Sequence, residues 1–142
     1  MKITLFGCKD TTLHLSNFLK ELDVKIDLIT IAPETAKTNE VAGYLDLTLH
    51  KELFQSIYQV SSYSLKDKSD VDFLRAKNIN SLGLCVGWQR LIPNLVLDLF
   101  TAGVFGMHGS ARDLPFGKGR SPINWAILED RKFFHTNLFK YL

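Results

Sequence analysis

His108 stands at the end of the apolar run Val104–His108. The loop that follows, Gly109 to Ser121, carries three basic residues, Arg112, Lys118 and Arg120, among glycines and Pro115. An imidazole titrates near neutral pH, so at the mouth of a strand it can serve as a general acid or base. The loop, with Gly119 between two of its basic residues, runs into a helix start at Ser121-Pro122. Amides at such a start add a positive dipole end suited to an anionic or planar ligand. It is not a Walker loop, because Gly117-Lys118 is followed by Gly119 rather than Ser or Thr. The competing readings are a structural histidine and a solvated surface loop shaped by its glycines.

Two further stretches sit at expected strand ends. Gly7-Cys8 closes the first apolar run, and Gly87-Trp88-Gln89-Arg90-Leu91-Ile92 leads to Pro93. A dinucleotide fingerprint would need more glycines near Gly7, and none is present. His14, His50 and His135 lack partners at metal-ligand spacing, so no metal site is expected.

The elements that must position these residues alternate between strand and helix. Ile3–Phe6 is a short apolar strand. Thr11 or Thr12 is placed to cap a helix with the inward stripe Leu15, Phe18, Leu19 and Leu22. Val24–Ile31 reads as a β-branched strand ended by Pro33, with 34–43 a polar loop or weak helical turn. A short helix near Leu49–Gln55 and a small strand at Ile57–Val60 follow. Asp67–Lys77 is predicted helical with Val71 and Leu74 inward, and Leu82–Val86 a strand buried on both faces. Pro93 suits the first turn of a helix buried through Leu95, Val96, Leu99 and Phe100 and ended by Gly103. Val104–His108, a helix from Ser121-Pro122 to about Glu129, and a strand at Phe133–Leu142 complete the chain. Strands separated by helices imply an α/β fold: a Rossmann-like, three-layer, open and mostly parallel sheet with helices on both faces. Ligands of such sheets bind beyond the carboxyl ends of the strands, where Cys8, the Trp88–Arg90 stretch and His108 would converge.

With 142 residues the chain can bury roughly 68–70% of its unfolded surface. A 46% hydrophobic and 23% charged composition is that of an ordinary globular protein. Net charge +2 gives no strong pull toward nucleic acid or anionic membranes, and no apolar run approaches the roughly 20 residues of a membrane helix. Cys8 and Cys85 lie in strand-like apolar runs and suggest neither a disulfide scaffold nor zinc. Without a signal-like N-terminus, a cytoplasmic location is expected.

His108, Ser110, Leu114-Pro115 and Lys118-Gly119-Arg120-Ser121-Pro122, with Trp125-Ala126-Ile127, resemble the folate-dependent formyltransferase family. That family's pattern is Asn-x-His, a Ser, a Leu-Pro step, and Arg-Gly-x-x-Pro running into a helix. Leu84 to Pro93 is similar to its strand and loop around the folate pocket, and Met1 to Gly7 to its first strand. The resemblance includes the catalytic domains of methionyl-tRNA, glycinamide ribonucleotide and sugar N-formyltransferases. It implies 10-formyltetrahydrofolate as co-substrate and His108 as the catalytic histidine. It further implies a folate wall of Trp88, Gln89, Arg90, Leu91, Ile92, Ser110, Leu114 and Pro115, with the backbone of Trp88–Ile92 against the pterin. Arg112, Lys118, Gly119 and Arg120 are the expected substrate or anion side.

Three departures stand out. Gly106 replaces the family's catalytic asparagine, the segment between His108 and Leu114 is two residues longer, and no counterpart of the catalytic Asp follows the Phe133–Tyr141 strand. The expectation is therefore a single formyltransferase-type catalytic domain over residues 1–142, truncated at its C-terminal end and weak or inactive as it stands. Its expected activity is formyl transfer to a primary amine of a small molecule, an amino sugar or nucleotide sugar first. The alternatives are a non-catalytic or vestigial formyltransferase-like binding domain and a methionyl-tRNA formyltransferase-type fragment. A homodimer through an exposed sheet edge is a further expectation, whereas membrane and nucleic-acid partners are not expected.

Overall fold

The computed structural model describes residues 2–79, 81–110, 112, 114, 116, 117, 119 and 121–142. Six strands form one sheet in the order β3-β2-β1-β4-β5-β6. They are β1 (Lys2–Phe6), β2 (Lys25–Ile31), β3 (Ser56–Val60), β4 (Leu82–Cys85), β5 (Val104–Ser110) and β6 (His135–Lys140). All neighbours run parallel except β6, which pairs antiparallel with β5. The helices are α1 (Asp10–Glu21), α2 (Pro33–Thr38), α3 (Lys68–Ala76), α4 (Asn94–Leu97) and α5 (Pro122–Leu128), with a 3-10 segment at Leu47–Leu53.

Strand alternation divides the core into two layers. Ile3, Leu5, Ile26 and Leu28 point to one face, where Leu19 of α1 and Leu47 cover them. Phe6, Ile29 and Ile31 point to the other, against Ala36 of α2, Val71 and Leu74 of α3, and Val96 of α4. Helices thus lie on both faces of a mostly parallel sheet. On the β5–β6 side α5 buries Ala126 while Met107, Trp125, Ile127, Leu128, Phe133 and Leu138 remain exposed.

Several local expectations are corrected. In α1 the inward residues are Thr12, Ser16 and Leu19, whereas Phe18 and Leu22 are 56% and 59% exposed. At its N-terminal end the helix lies so close to the loop after β4 that a small side chain, Thr12, faces inward. A Cβ on Gly87 would lie 2.3 Å from Thr12 Oγ1, and Gly87 also has φ +84°, a conformation glycine adopts without steric cost. Neither Thr11 nor Thr12 caps this helix. Lys9 is the N-cap, without a side-chain bond, and Thr12 Oγ1 donates to Val86 O at 2.6 Å. Pro33 starts α2 rather than only ending β2, because its fixed φ suits a first helical turn. Pro93 is the N-cap of α4, which holds only four residues, and Leu95 is 59% exposed.

At the base of the sheet Lys2 Nζ contacts the buried Asp27 at 2.6 Å, and Tyr58 donates its hydroxyl to the same carboxylate at 3.4 Å. The hydrogen bond and charge of Asp27 hold the Lys2 ammonium above its ordinary pKa.

Candidate functional site

The carboxyl ends of β1, β4 and β5 lie side by side. Phe6 aligns with Cys85 and Cys85 with Gly106. Cys8 N donates to Gly87 O at 3.3 Å, so the first two ends are joined directly. His108 lies two residues beyond Gly106 on β5 and on the same face by strand alternation. The structure thus brings together the three strand ends picked out in the sequence.

His108 is partly exposed, and its Nε2 lies 3.0 Å from Gly117 O. A carbonyl oxygen only accepts, so this contact requires the proton on Nε2. Its main-chain oxygen accepts from Asn137 Nδ2 of β6 at 3.3 Å. The imidazole is therefore tethered to the loop through Nε2, and the main chain that carries it to the neighbouring strand.

Gly106 is buried beneath two aromatic rings, Phe139 of β6 and Tyr141 just beyond that strand. A Cβ placed on it would lie 2.8 Å from Tyr141 Cε2 and 3.0 Å from Phe139 Cζ. The two rings pack together at 4.9 Å between centroids. Tyr141 also bonds its N–H to Val104 O at 2.9 Å, and its phenol and the Cys85 thiol influence each other's ionisation. Burial raises both, with Cys85 pushed up to about 11. Space that a longer side chain at position 106 would need is filled by Tyr141.

The segment after Gly87 divides its side chains. Trp88 and Ile92 are core residues, 6% and 4% exposed, and Trp88 packs on Phe6 and Tyr63. Gln89, Arg90 and Leu91 face solvent. The main-chain N–H groups of Arg90, Leu91 and Ile92 donate to no described protein group. Main-chain donors next to the exposed Leu91 side chain are the kind of group that the edge of a heteroaromatic ring can use. Cys8 and Tyr63 underlie this segment. Burial raises the Cys8 thiol above its usual pKa and Tyr63 to about 12.

Within the loop after β5, Ser110 is fully buried. Its hydroxyl donates to Phe116 O at 3.4 Å and accepts from Arg112 N at 3.1 Å. It shapes the loop rather than facing outward. Leu114 is half-buried and Arg112 and Gly119 are exposed. Pro115, Lys118 and Arg120, also expected at the site, lie outside the described residues. A cleft of about 330 Å³ opens between loop and helix, lined by Ser110, Arg112, Gly117, Gly119, Pro122, Trp125 and Glu129. The expected cap of α5 differs in detail, since Ser121 is the N-cap with φ +53° and makes no side-chain bond. A second groove of about 360 Å³, between α2 and Tyr44, contains none of the expected residues. Among the described residues no cluster of His, Cys, Asp or Glu could hold a metal, and no helix is long and apolar enough to cross a membrane.

Sequence reasoning missed Tyr63, Asn137 and Tyr141. Tyr63 sits in a serine-rich turn with no periodicity. Asn137 had a faint signal, because it alternates with Phe139 on β6 and the two lie opposite His108 and Gly106, whereas Tyr141 follows the strand.

No family model matches the chain. Methionyl-tRNA formyltransferase of Flavobacterium johnsoniae is 40% identical over 103 residues, covering 72% of this chain and 31% of that protein. The enzyme of the same name from Clostridium tetani is 25% identical over 142 residues, covering 98% and 44%. The chain thus spans less than half the length of these curated relatives. Among solved structures, phosphoribosylglycinamide formyltransferase from Bacillus halodurans superposes with a TM-score of 0.66 at 18% identity, covering all of this chain and 72% of that one. The Coxiella burnetii protein of that name, in complex with CHES, gives 0.62 at 12% identity. In sequence and in fold, the chain is related to the folate-dependent formyltransferases.

Proposed function

We propose that this chain carries the folate-binding and histidine-bearing part of a formyltransferase, which moves a formyl group from 10-formyltetrahydrofolate to a primary amine. The observation that carries the reading is the placement of a tethered imidazole, His108, at the same sheet mouth as the free amides of Arg90 to Ile92. In such a transfer the amine nitrogen attacks the formyl carbon, and the carbonyl oxygen becomes an oxyanion. The bond from that carbon to N10 then breaks, and the proton lost by the amine ends on N10. The free amides and the apolar surface beside them hold and orient the pterin. His108 lies at the end of β5, where a proton must pass between amine and leaving nitrogen. Its Nε2–H, which donates to Gly117 O in this structure, is a group suited to a developing oxyanion.

The names of the relatives favour an aminoacyl-tRNA amine as acceptor and lend no support to the amino sugar expected from sequence. A nucleic-acid partner therefore belongs to the proposal. The test is single-turnover formyl transfer from 10-formyltetrahydrofolate to a panel of methionyl-tRNA, glycinamide ribonucleotide and an amino-sugar nucleotide, with His108→Ala as control. Transfer to one acceptor, lost in His108→Ala, supports the reading. Saturable binding of the folate without transfer to any acceptor would favour the vestigial binding domain. Absence of both would overturn the proposal.

A further inference from the structure

We infer that Tyr63 is the positioning residue of the proposed pterin wall, and that Asp70 locks the loop that delivers it. This rests on the folate reading of the Trp88–Ile92 segment.

Three consecutive residues of that segment meet this one tyrosine. The Trp88 ring lies 4.8 Å from the Tyr63 ring, Gln89 N donates to Tyr63 Oη at 2.9 Å, and the Arg90 guanidinium stands over the ring at 5.4 Å. Past Gly87, whose carbonyl accepts from Cys8 N at 3.3 Å, the segment runs to the start of α4 at Asn94 outside any strand pairing. The Trp88 carbonyl accepts from Cys85 Sγ at 3.7 Å, and the bond from Gln89 N to Tyr63 is the last that holds the main chain, among the described residues, before the three amides. Tyr63 is itself 3% exposed, and burial keeps its phenol neutral well into alkaline solution. The hydroxyl thus remains an acceptor with its own proton. The Cys8 thiol at the end of β1 lies beside the same hydroxyl, so Tyr63 ties the wall to two strands.

The turn that presents Tyr63 is itself clamped. Asp70, 4% exposed in the first turn of α3, accepts from Ser61 N at 2.8 Å and Ser61 Oγ at 2.9 Å through Oδ1, and from Ser62 N at 2.7 Å through Oδ2. Charge-assisted bonds of this kind are roughly twice as strong as neutral ones. Leu65 closes the turn with φ +57° and a bond to Ser62 O at 3.2 Å, and it is fully buried. The path from α3 through Asp70, Ser61-Ser62 and Tyr63 to Gln89 is continuous.

The experiment compares the intact chain with Tyr63→Phe and Asp70→Asn. Tyr63→Phe keeps the ring and removes only the acceptor. Three readouts are taken: amide hydrogen exchange at Gln89, the Kd of a non-transferable 10-formyltetrahydrofolate analogue, and the thermal midpoint. Loss of one net hydrogen bond predicts a Kd weaker by about three- to tenfold. Gln89 exchange should rise at least about tenfold while strand amides such as that of Leu84 stay protected. Asp70→Asn, which leaves the Tyr63 hydroxyl intact, should move exchange and Kd in the same direction by less. Unchanged Gln89 exchange in Tyr63→Phe overturns the positioning role, as does an unchanged Kd when the wild type binds. No effect of Asp70→Asn on either readout overturns the clamp. A wild type that binds no analogue overturns the folate reading itself, and the role of Tyr63 in binding with it.

Discussion

Replacing Gly106 with asparagine is the most informative perturbation of the site. It would restore the amide that the resemblance places there, but Tyr141 stands in the way. A Cβ at 106 lies 2.8 Å from Tyr141 Cε2 and 3.0 Å from Phe139 Cζ, so an amide beyond it requires the Tyr141 ring to leave. Truncating a fully buried large aromatic costs about 3–5 kcal/mol. Tyr141 is half-buried, so its expulsion costs about 1.5–2.5 kcal/mol on that scale. Replacing glycine returns roughly 0.4–1 kcal/mol through the unfolded chain. The net expectation is a loss of about 1–2 kcal/mol. At roughly 2–4 °C per kcal/mol the midpoint falls by about 2–8 °C. In a Tyr141→Ala background only Phe139 still crowds the position, and the same Gly106→Asn change should cost less. Urea denaturation of the four proteins of this cycle measures the coupling. An equal cost of Gly106→Asn with and without Tyr141 would refute the argument that the ring occupies the slot.

Alkaline titration should unfold the protein earlier than its carboxylates and lysines alone would suggest. Tyr44 and Tyr63 are raised by burial from 10 to about 12, so the stability they contribute is whole below pH 10 and is lost as pH climbs toward 12. Lys2, also raised, adds the same sign above its ordinary 10.5; Tyr44→Phe should flatten this limb in a pH series of urea midpoints. Lys2→Ala strands the buried Asp27, whose Oδ1 already lacks a described partner. With Lys2 44% exposed, the cost should be about 1–3 kcal/mol, below that of a fully buried pair, and chemical denaturation reads it. Cys8 and Cys85 should react with a thiol reagent at pH 7.5 only as fast as the protein opens, because burial raises both thiols. A rapid stoichiometric burst in the folded protein would contradict that environment.

Strand positions were legible in the sequence because apolar runs such as Ile26–Ile31 and Val104–Gly106 can only be buried in a sheet covered on both faces. The face of α1 was not. Its apolar stripe favoured Phe18 and Leu22, yet the close approach of the Gly87 loop turns Thr12 inward at the start of the helix. That constraint comes from a residue 75 positions away in the chain, and periodicity carries no trace of it. His108 and the exposed stretch Gln89–Leu91 stood out by residue type and by their place at strand ends. Trp88 and Ile92 belong to the same motif, but their side chains complete the core. Tyr63 and Asp70 gave no signal, because their partners are main-chain groups brought near only by the fold.

The central claim is that the sheet mouth between β4 and β5 binds a formyl-carrying folate. Chemical-shift mapping of the labelled chain during titration with a non-transferable 10-formyltetrahydrofolate analogue tests it most directly. The account predicts saturable shifts at the amides of Arg90, Leu91 and Ile92, together with the ring signals of His108. Absence of saturable shifts, or shifts confined to the groove between Lys37 and Tyr44, would contradict it.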